Sequence, residues 1–134
     1  MFLGVKMFTK EDIVKNPILR NYPKNEYWIT AGSGLVMHGV KTYTRDIDLG
    51  CSTMLADLLI QQGAKWELLE NGARRLIDVA SDIEMFENWH VDNIVEINGL
   101  SVASLESIRK QKIALNRPKD WDDIALIDEV IGKS

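Results

Sequence analysis

The chain has 134 residues, 46% of them hydrophobic, which is enough for one domain with a buried core. The formal net charge of −4 argues against a surface that attracts nucleic acid as a whole, so any such contact would use a local basic patch. Cys51 is the single cysteine, which excludes an intrachain disulfide and is typical of a reducing compartment. No apolar run suits a membrane span or a signal peptide, so we expect a soluble cytoplasmic protein without a membrane contact.

The first half of the chain predicts short helices alternating with two strands. Thr9 followed by acidic residues is typical of a capped helix, and Pro17 ends that helix early. Next along the chain we predict a loop over 21–25, a strand over 27–30, a glycine-rich turn over 32–34, a short helix over 35–40, a strand over 45–51, and a helix from Ser52 or Thr53 to about residue 62. Polar and apolar residues alternate in the second strand, so Asp46 and Asp48 share one face.

The second half predicts two hairpins followed by two helices. Asn71-Gly72 and Asn98-Gly99 each separate strand-like runs, which is a strong hairpin signal. The predicted elements are strands over 65–70, 73–79, 82–86, 94–97 and 100–102 and helices over 104–116 and 118–131. This order predicts an α+β (α/β) fold, a mixed β-sheet flanked by helices, in a single domain. Residues 1–26 would form an N-terminal helix and loop, 27–103 the sheet core, and 104–134 a C-terminal helical pair.

Asp46 and Asp48 are the first candidate functional residues. Residues two apart on a strand lie roughly 6.6 Å apart at the backbone, and carboxylates at that spacing can hold one or two Mg²⁺ ions. Paired metal ions stabilise the attacking and leaving oxygens in phosphoryl or nucleotidyl transfer. Two alternatives remain open, a solvated strand face and a cation with a purely structural role.

Gly32-Ser33-Gly34, between a predicted strand and a predicted helix, is the second candidate. Glycines let a backbone approach phosphate closely, and a helix N-terminus points N–H groups at it. The alternative is an ordinary turn in which Ser33 caps the helix.

The two motifs together resemble the signature of the polymerase-β-like nucleotidyltransferase superfamily. Gly32-Ser33 is followed after twelve residues by Asp46-Ile-Asp48-Leu. The closer resemblance is to small AbiEii-type nucleotidyltransferase-like proteins. It rests on His38-Gly39, on Thr44, on the lysine-bearing segment 104–116 and on the Arg-Pro-Lys-Asp-x-x-Asp segment 117–123, and it covers about residues 27–130.

The resemblance implies a nucleotidyltransferase-like fold with a third carboxylate on a later strand. Asp78, Asp82 and Glu84 are the candidates. Glu84 is favoured because Ile83-Glu-Met-Phe86 matches an apolar-acid-apolar strand, and Asp82, two residues earlier on the same predicted face, is the close second.

The C-terminal helices supply further candidates. Lys112 lies on the apolar stripe of its predicted helix, where a lysine needs an anion or must reach solvent. On the last helix, Asp120 and Asp123 extend the apolar face and Asp122 does not. The resemblance implies that Lys112 and Asp120 belong to an active site, and Asp123 is alternatively a structural partner of Lys112 or Arg117.

The resemblance therefore implies an enzyme that uses Mg²⁺ or Mn²⁺ to move a nucleoside monophosphate from an NTP to a hydroxyl of RNA, protein or a small molecule. Several such proteins act in toxin–antitoxin or phage-defence systems, and a partner protein is one implication. The implied residues are, for catalysis, Asp46, Asp48, Glu84, Asp82 and Asp120, of which Asp46, Asp48 and Glu84 hold metal, and, for the nucleotide, Gly32, Ser33 and Lys112. The alternative is a catalytically inactive nucleotide-binding or protein-interaction module. We expect His38 to be a packing residue and Cys51 to be buried and inert.

Overall fold

The computed structural model describes residues 7–69 and 74–132. Within them lies one mixed sheet flanked by helices, as the sequence predicts. The strands are β1 Tyr27–Thr30, β2 Ile47–Cys51, β3 Lys65–Leu68, β4 Arg75–Ala80, β5 Ile83–Glu87, β6 Ile94–Ile97 and β7 Leu100–Ala103. The helices are α1 Lys10–Lys15, α2 Pro17–Arg20, α3 Ala31–Met37, α4 Thr53–Gln61, α5 Leu105–Leu115 and α6 Pro118–Gly132.

Short polar side chains cap the N-termini of four of these helices, and at α2 the Asn16 side chain accepts from the Ile18 N–H. Thr9 forms a reciprocal capping box with Asp12 at the start of α1. The Ser52 and Ser104 hydroxyls accept hydrogen bonds from backbone N–H groups in the first turns of α4 and α5. Of the two sequence candidates for the α4 cap, Ser52 is the one used.

The sheet has the strand order β3-β4-β5-β2-β1-β7-β6. The β2–β5 and β1–β7 pairs are parallel, and the other neighbours are antiparallel. Its register aligns one row of residues across four strands, with Thr30 opposite Asp48, Asp48 opposite Glu84, and Glu84 opposite Asp78. Since register partners point to the same face of a sheet, three carboxylates from three strands share one face.

The two faces of the sheet are covered unequally. On one face, Ile29, Leu49 and Met85 are completely buried in the main hydrophobic core with side chains of α1, α2, α3 and α4. A smaller core joins α3, β7, α5 and α6 through Leu35, Ala103, Ile108 and Ile127. Ala103 alternates with the main-core residue Val102, so α5 and α6 lie over the β7 end of the opposite face. The row of carboxylates lies on this opposite face, away from the main core.

Two glycines permit close contacts that fix this arrangement. A Cβ atom at Gly50 would lie 2.0 Å from Nε1 of Trp28, its register partner on β1. A Cβ atom at Gly34 would lie 2.7 Å from Cδ1 of Ile108, so α3 approaches α5 closely at this point.

Four sequence predictions need correction at the level of local structure. Residues 32–34 form no separate turn, because α3 already begins at Ala31 and ends at Met37. A second short helix, α2, begins at Pro17, whose fixed φ suits a first helical position. Asp46 lies in a bend directly before β2. Asp82 has a φ of +66° in the β4–β5 turn, so it does not continue the Glu84 face.

Both predicted hairpins have their flanking strands. The β6–β7 hairpin is confirmed, with Asn98 and Gly99 at φ values of +51° and +80° between paired Ile97 and Leu100. Strands β3 and β4 pair antiparallel, whereas the predicted Asn71-Gly72 turn lies outside the described residues. No helix within the described ranges has the length and apolar character needed to cross a bilayer.

Candidate active site

A cavity of about 770 Å³ opens over the face that carries the carboxylates, and we call it the main cavity. Its acidic members are Asp46, Asp48, Glu84 and Asp123. Its basic members come from the segment between α3 and β2 and from the two C-terminal helices with their connection, and they are Lys41, Arg45, Lys112, Arg117 and Lys119. A cavity with an acidic region and cationic walls can hold a divalent cation and a polyanion side by side.

Asp46, Asp48 and Glu84 come together as the sequence predicts. Asp48 and Glu84 are register partners on parallel strands, and Asp46 precedes Asp48 by two residues. Burial, reinforced by the neighbouring carboxylates of Asp46 and Glu84, raises the pKa of Asp48 to about 7 against the opposing effect of two lysines. Burial and the charges of Asp78, Asp46 and Glu67 also raise the pKa of Glu84. The cluster therefore resists full ionisation in the absence of a compensating cation.

The other two candidates for the third carboxylate lie at the margin of the site. Asp78 and Asp82 are exposed and line an adjoining acidic groove of about 430 Å³ together with Asp46 and Glu84. Within residues 7–69 and 74–132, no three acidic, histidine or cysteine side chains are already gathered closely enough to form a ready-made metal site.

Ser33 contacts the acidic strand, and its side chain is buried. Its hydroxyl donates to the carbonyl oxygens of Thr30, at 2.8 Å, and Asp48, at 3.3 Å, and accepts from the Asp48 N–H at 3.2 Å. Gly32 does line the main cavity, and a Cβ atom there would lie 3.0 Å from Oγ1 of Thr44. In the Gly-Ser-Gly motif, one glycine therefore faces the cavity, the serine fixes the backbone at Asp48, and Gly34 serves packing.

Lys112 is buried and paired with acids, as one of the sequence alternatives states. Its Nζ lies 2.9 Å from Oδ2 of Asp123 and 3.5 Å from Oδ1 of Asp120. The second lysine on Asp123 is Lys41, whose Nζ lies 3.3 Å from Oδ1. Asp123 is thus a partner of Lys112, which is the alternative that the sequence left open.

Asp120 lies behind the cavity lining. It is completely buried, and the Arg117 side chain donates to its two oxygens at 2.6 and 3.0 Å while the Arg117 N–H donates at 3.1 Å. These hydrogen bonds from Arg117 hold the pKa of Asp120 down, to about 2. Asp120 therefore positions Arg117 and Lys112, which do line the cavity.

Sequence reasoning did not select Lys41, Arg45 or Lys119 as site residues. Lys41 and Arg45 lie in the segment between the two motifs, so their closeness in sequence to Asp46 and Asp48 is the signal that could have identified them as site residues. Lys119 lies within the segment that carries the resemblance.

A second cavity, which we call the side pocket, has a volume of about 300 Å³ and shares Ala31, Asp48, Phe86, Lys112 and Arg117 with the main cavity. Its remaining lining combines apolar and polar side chains, namely Leu69, Arg74, Trp89, Gln111 and Leu115. The rings of Phe86 and Trp89 meet edge to face at 4.9 Å. No sequence motif predicts this pocket, since its walls come from distant parts of the chain.

Two minor predictions have direct structural counterparts. His38 Nε2 lies 2.8 Å from the Ala103 carbonyl oxygen, which fits a packing histidine at the end of α3. Cys51 is a buried free cysteine, and burial raises its pKa to about 12, which fits an inert thiol.

Comparison of the chain with protein-family models, with curated proteins and with solved structures finds no match in any of the three.

Proposed function

We propose that the protein is a nucleotidyltransferase of the polymerase-β-like type, related to AbiEii-type proteins, which transfers a nucleoside monophosphate from an NTP to an acceptor hydroxyl. The observation that carries this proposal is the shared location of Asp46, Asp48 and Glu84 in a cavity walled by five basic residues. The family resemblance of the motifs is the second support. The setting in toxin–antitoxin or phage defence stays an implication of that resemblance.

The donor chemistry of the acidic residues fits a divalent cation. Asp46, Asp48 and Glu84 offer the carboxylate oxygens that Mg²⁺ and Mn²⁺ prefer. Burial and the neighbouring carboxylates of Asp46 and Glu84 raise the pKa of Asp48, and a bound cation would favour its ionised form. When bound, the cation would neutralise charge on the phosphates and lower the pKa of the acceptor hydroxyl.

The basic residues of the main cavity fit the triphosphate. Lys112 and Arg117 are held in place by the buried Asp120, so their charges are oriented before substrate arrives. In the reaction, the acceptor oxygen bonds to the α-phosphorus and the bond to the bridging oxygen of the β-phosphate breaks. Pyrophosphate leaves with that electron pair, and Asp48 or Glu84 takes the hydroxyl proton.

Ser33 has a positioning role in this proposal. Its hydroxyl links the first turn of α3 to the backbone of Asp48, so it sets the distance between the Gly32 backbone and the acidic residues.

The side pocket offers the acceptor a second approach to Asp48. Asp48 and Lys112 line this pocket, and so do the aromatic side chains of Phe86 and Trp89. Its volume of about 300 Å³ lies at the lower end of the range for small-molecule pockets, so it suits a small part of the acceptor next to the reacting hydroxyl.

Transfer of label from α-labelled NTPs tests the proposal. Each NTP would be incubated with Mg²⁺ or Mn²⁺ and with RNA, protein and small-molecule fractions, using wild type and the Asp46→Asn and Asp48→Asn variants. Asp122→Asn is the matched control, since Asp122 is exposed on α6 and does not line the main cavity. We expect labelled product from wild type and control only. Absence of product with every NTP and acceptor fraction would contradict the enzyme proposal.

One observation favours a second candidate, a non-catalytic nucleotide-binding module. Five of the described basic residues line the main cavity, and they can hold a polyphosphate whether or not the carboxylates bind metal. This candidate predicts that NTPs raise the melting temperature of wild type equally with Mg²⁺ and with chelator, and that no label is transferred. Transfer of label by wild type that is lost in Asp46→Asn would exclude it.

A further inference from the structure

Asp123 joins two walls of the main cavity. Lys41, in the segment that follows α3, contacts one of its carboxylate oxygens at 3.3 Å, and Lys112, in α5, contacts the other at 2.9 Å. All three residues line the main cavity. An anion carried by α6 thus already occupies the position at which two lysines from different elements converge.

The three side chains differ in their freedom to move. The Lys112 side chain is 7% exposed and also contacts Asp120, which keeps it in place. The Lys41 side chain is 37% exposed, so it can change partners at little cost. The Asp123 side chain is 12% exposed, so its charge depends on these lysines for compensation.

We infer that Lys41 is a phosphate-binding residue and that Asp123 is its resting counter-ion, which the polyphosphate of the substrate displaces. This inference rests on the proposed function, because it assigns an occupant of the same cavity. A phosphate group presents several anionic oxygens and carries more charge than a carboxylate, so it competes for both lysines. Lys41 then leaves Asp123 and binds the polyphosphate, while Lys112 stays beside Asp123.

A purely structural ion-pair network predicts a different pattern of mutant effects. If Asp123 only neutralises Lys112, its removal lowers stability and weakens ligand binding together. If Asp123 competes with the ligand, its removal lowers the stability of the free protein but strengthens ligand binding. The sign of the change in affinity therefore separates the two.

Calorimetric titration with inorganic tripolyphosphate in the presence of Mg²⁺ provides the test, because this probe needs no knowledge of the base. We expect Asp123→Asn to lower the Kd roughly 3- to 10-fold while lowering the melting temperature. Lys41→Met should raise the Kd by a similar factor and lower the melting temperature less than Asp123→Asn does, because Lys112 still pairs with Asp123. This variant tests the inference even where Asp123→Asn folds poorly. Asp122→Asn, the exposed neighbour on α6, should change neither quantity.

The double variant sharpens the design. Removing Lys41 should weaken tripolyphosphate binding more in the Asp123→Asn background than in wild type, because Lys41 is then free of its competitor. Three outcomes would overturn the inference. They are equal losses of tripolyphosphate affinity in the two backgrounds, a Kd that Lys41→Met leaves unchanged, and weaker binding by Asp123→Asn than by wild type.

Nucleotide transfer is measured in parallel, so the two proposals fail separately. Transfer by wild type with a Kd unaffected by Lys41→Met overturns the inference and leaves the enzyme proposal in place. Tripolyphosphate binding with the expected mutant pattern but no transfer supports the inference for a nucleotide-binding module and counts against the enzyme. No tripolyphosphate binding by wild type overturns this inference.

Discussion

Replacing Asp48 by asparagine should stabilise the protein when no divalent cation is present. Burial and the charges of Asp46 and Glu84 raise the pKa of Asp48 to about 7 from its ordinary value of 3.8. No described residue donates a hydrogen bond or forms an ion pair to its carboxylate oxygens, so the amide loses no direct partner. The variant removes the charge and keeps the shape of the side chain.

The magnitude follows from the pKa. A tenfold change in an acid dissociation constant corresponds to about 1.4 kcal/mol. The raised pKa therefore means that ionised Asp48 lowers the unfolding free energy by about 4 kcal/mol above pH 7. Asp48 is half-buried and faces the open cavity, so solvent screening reduces this figure, and we expect an increase of about 1–3 kcal/mol in the unfolding free energy at pH 8.

The direction of the pH dependence is equally specific. The folded pKa lies above the unfolded pKa, so the folded protein holds this proton more tightly. Stability from Asp48 is therefore greatest below about pH 4 and is lost as the pH rises through about 7. The difference between Asp48→Asn and wild type should accordingly grow between pH 4 and 8 and stay constant above.

Urea unfolding in chelator at pH 4, 6 and 8 measures this difference, with Asp122→Asn as the control that should show none. Addition of Mg²⁺ at pH 8 should stabilise wild type and leave the stability of Asp48→Asn unchanged. The difference in unfolding free energy between the two proteins should therefore become smaller or change sign. A destabilised Asp48→Asn at pH 8 in chelator would refute the argument, because it would show that the carboxylate is a favourable structural partner.

Two further predictions concern the scaffold that holds the site. Gly34→Ala should lower the unfolding free energy by about 1–3 kcal/mol, because the new Cβ would lie 2.7 Å from Cδ1 of Ile108. Ile108→Val removes that Cδ1 atom, so adding it to Gly34→Ala should recover part of the loss. Denaturant titration of the single and double variants measures both effects. Arg75→Met should destabilise by about 3 kcal/mol or more at pH 7, because the Arg75 guanidinium donates two hydrogen bonds to the buried carboxylate of Glu87, which would lose its counter-charge. Arg75→Met together with Glu87→Gln should be less damaging than Arg75→Met alone, and equal losses would contradict the role given to the ion pair.

Local patterns in the sequence predict most of the architecture. Alternating residues in β2 and glycine-marked hairpins depend on interactions within a few residues, which a sequence displays directly. The inward position of Lys112, Asp120 and Asp123 likewise follows from helical spacing, and the structure buries all three.

The details that sequence reasoning missed depend on contacts between distant segments. Gly34 is small because it packs against Ile108, which lies 74 residues later in the chain. In the sequence, it directly follows Gly32 and Ser33, so it is predicted to belong to a turn. The Ser33 hydroxyl bonds the backbone at Asp48, a partner that spacing alone does not reveal. The alternation of polar and apolar residues predicts that Asp82 shares the face of Glu84, whereas the backbone at Asp82 is already in a turn.

The chain can carry a repulsive cluster because the two faces of its central strands have different roles. On the face opposite Asp48 and Glu84, the same strands bury Ile47, Leu49 and Met85 completely. Each fully buried aliphatic side chain contributes about 1.5–3 kcal/mol, so three of them exceed the cost estimated above for ionised Asp48. The core face can therefore set the positions of β2 and β5 firmly enough to hold carboxylates side by side. A scaffold of this kind keeps like charges together until a cation binds, which is the condition that a metal-dependent site requires.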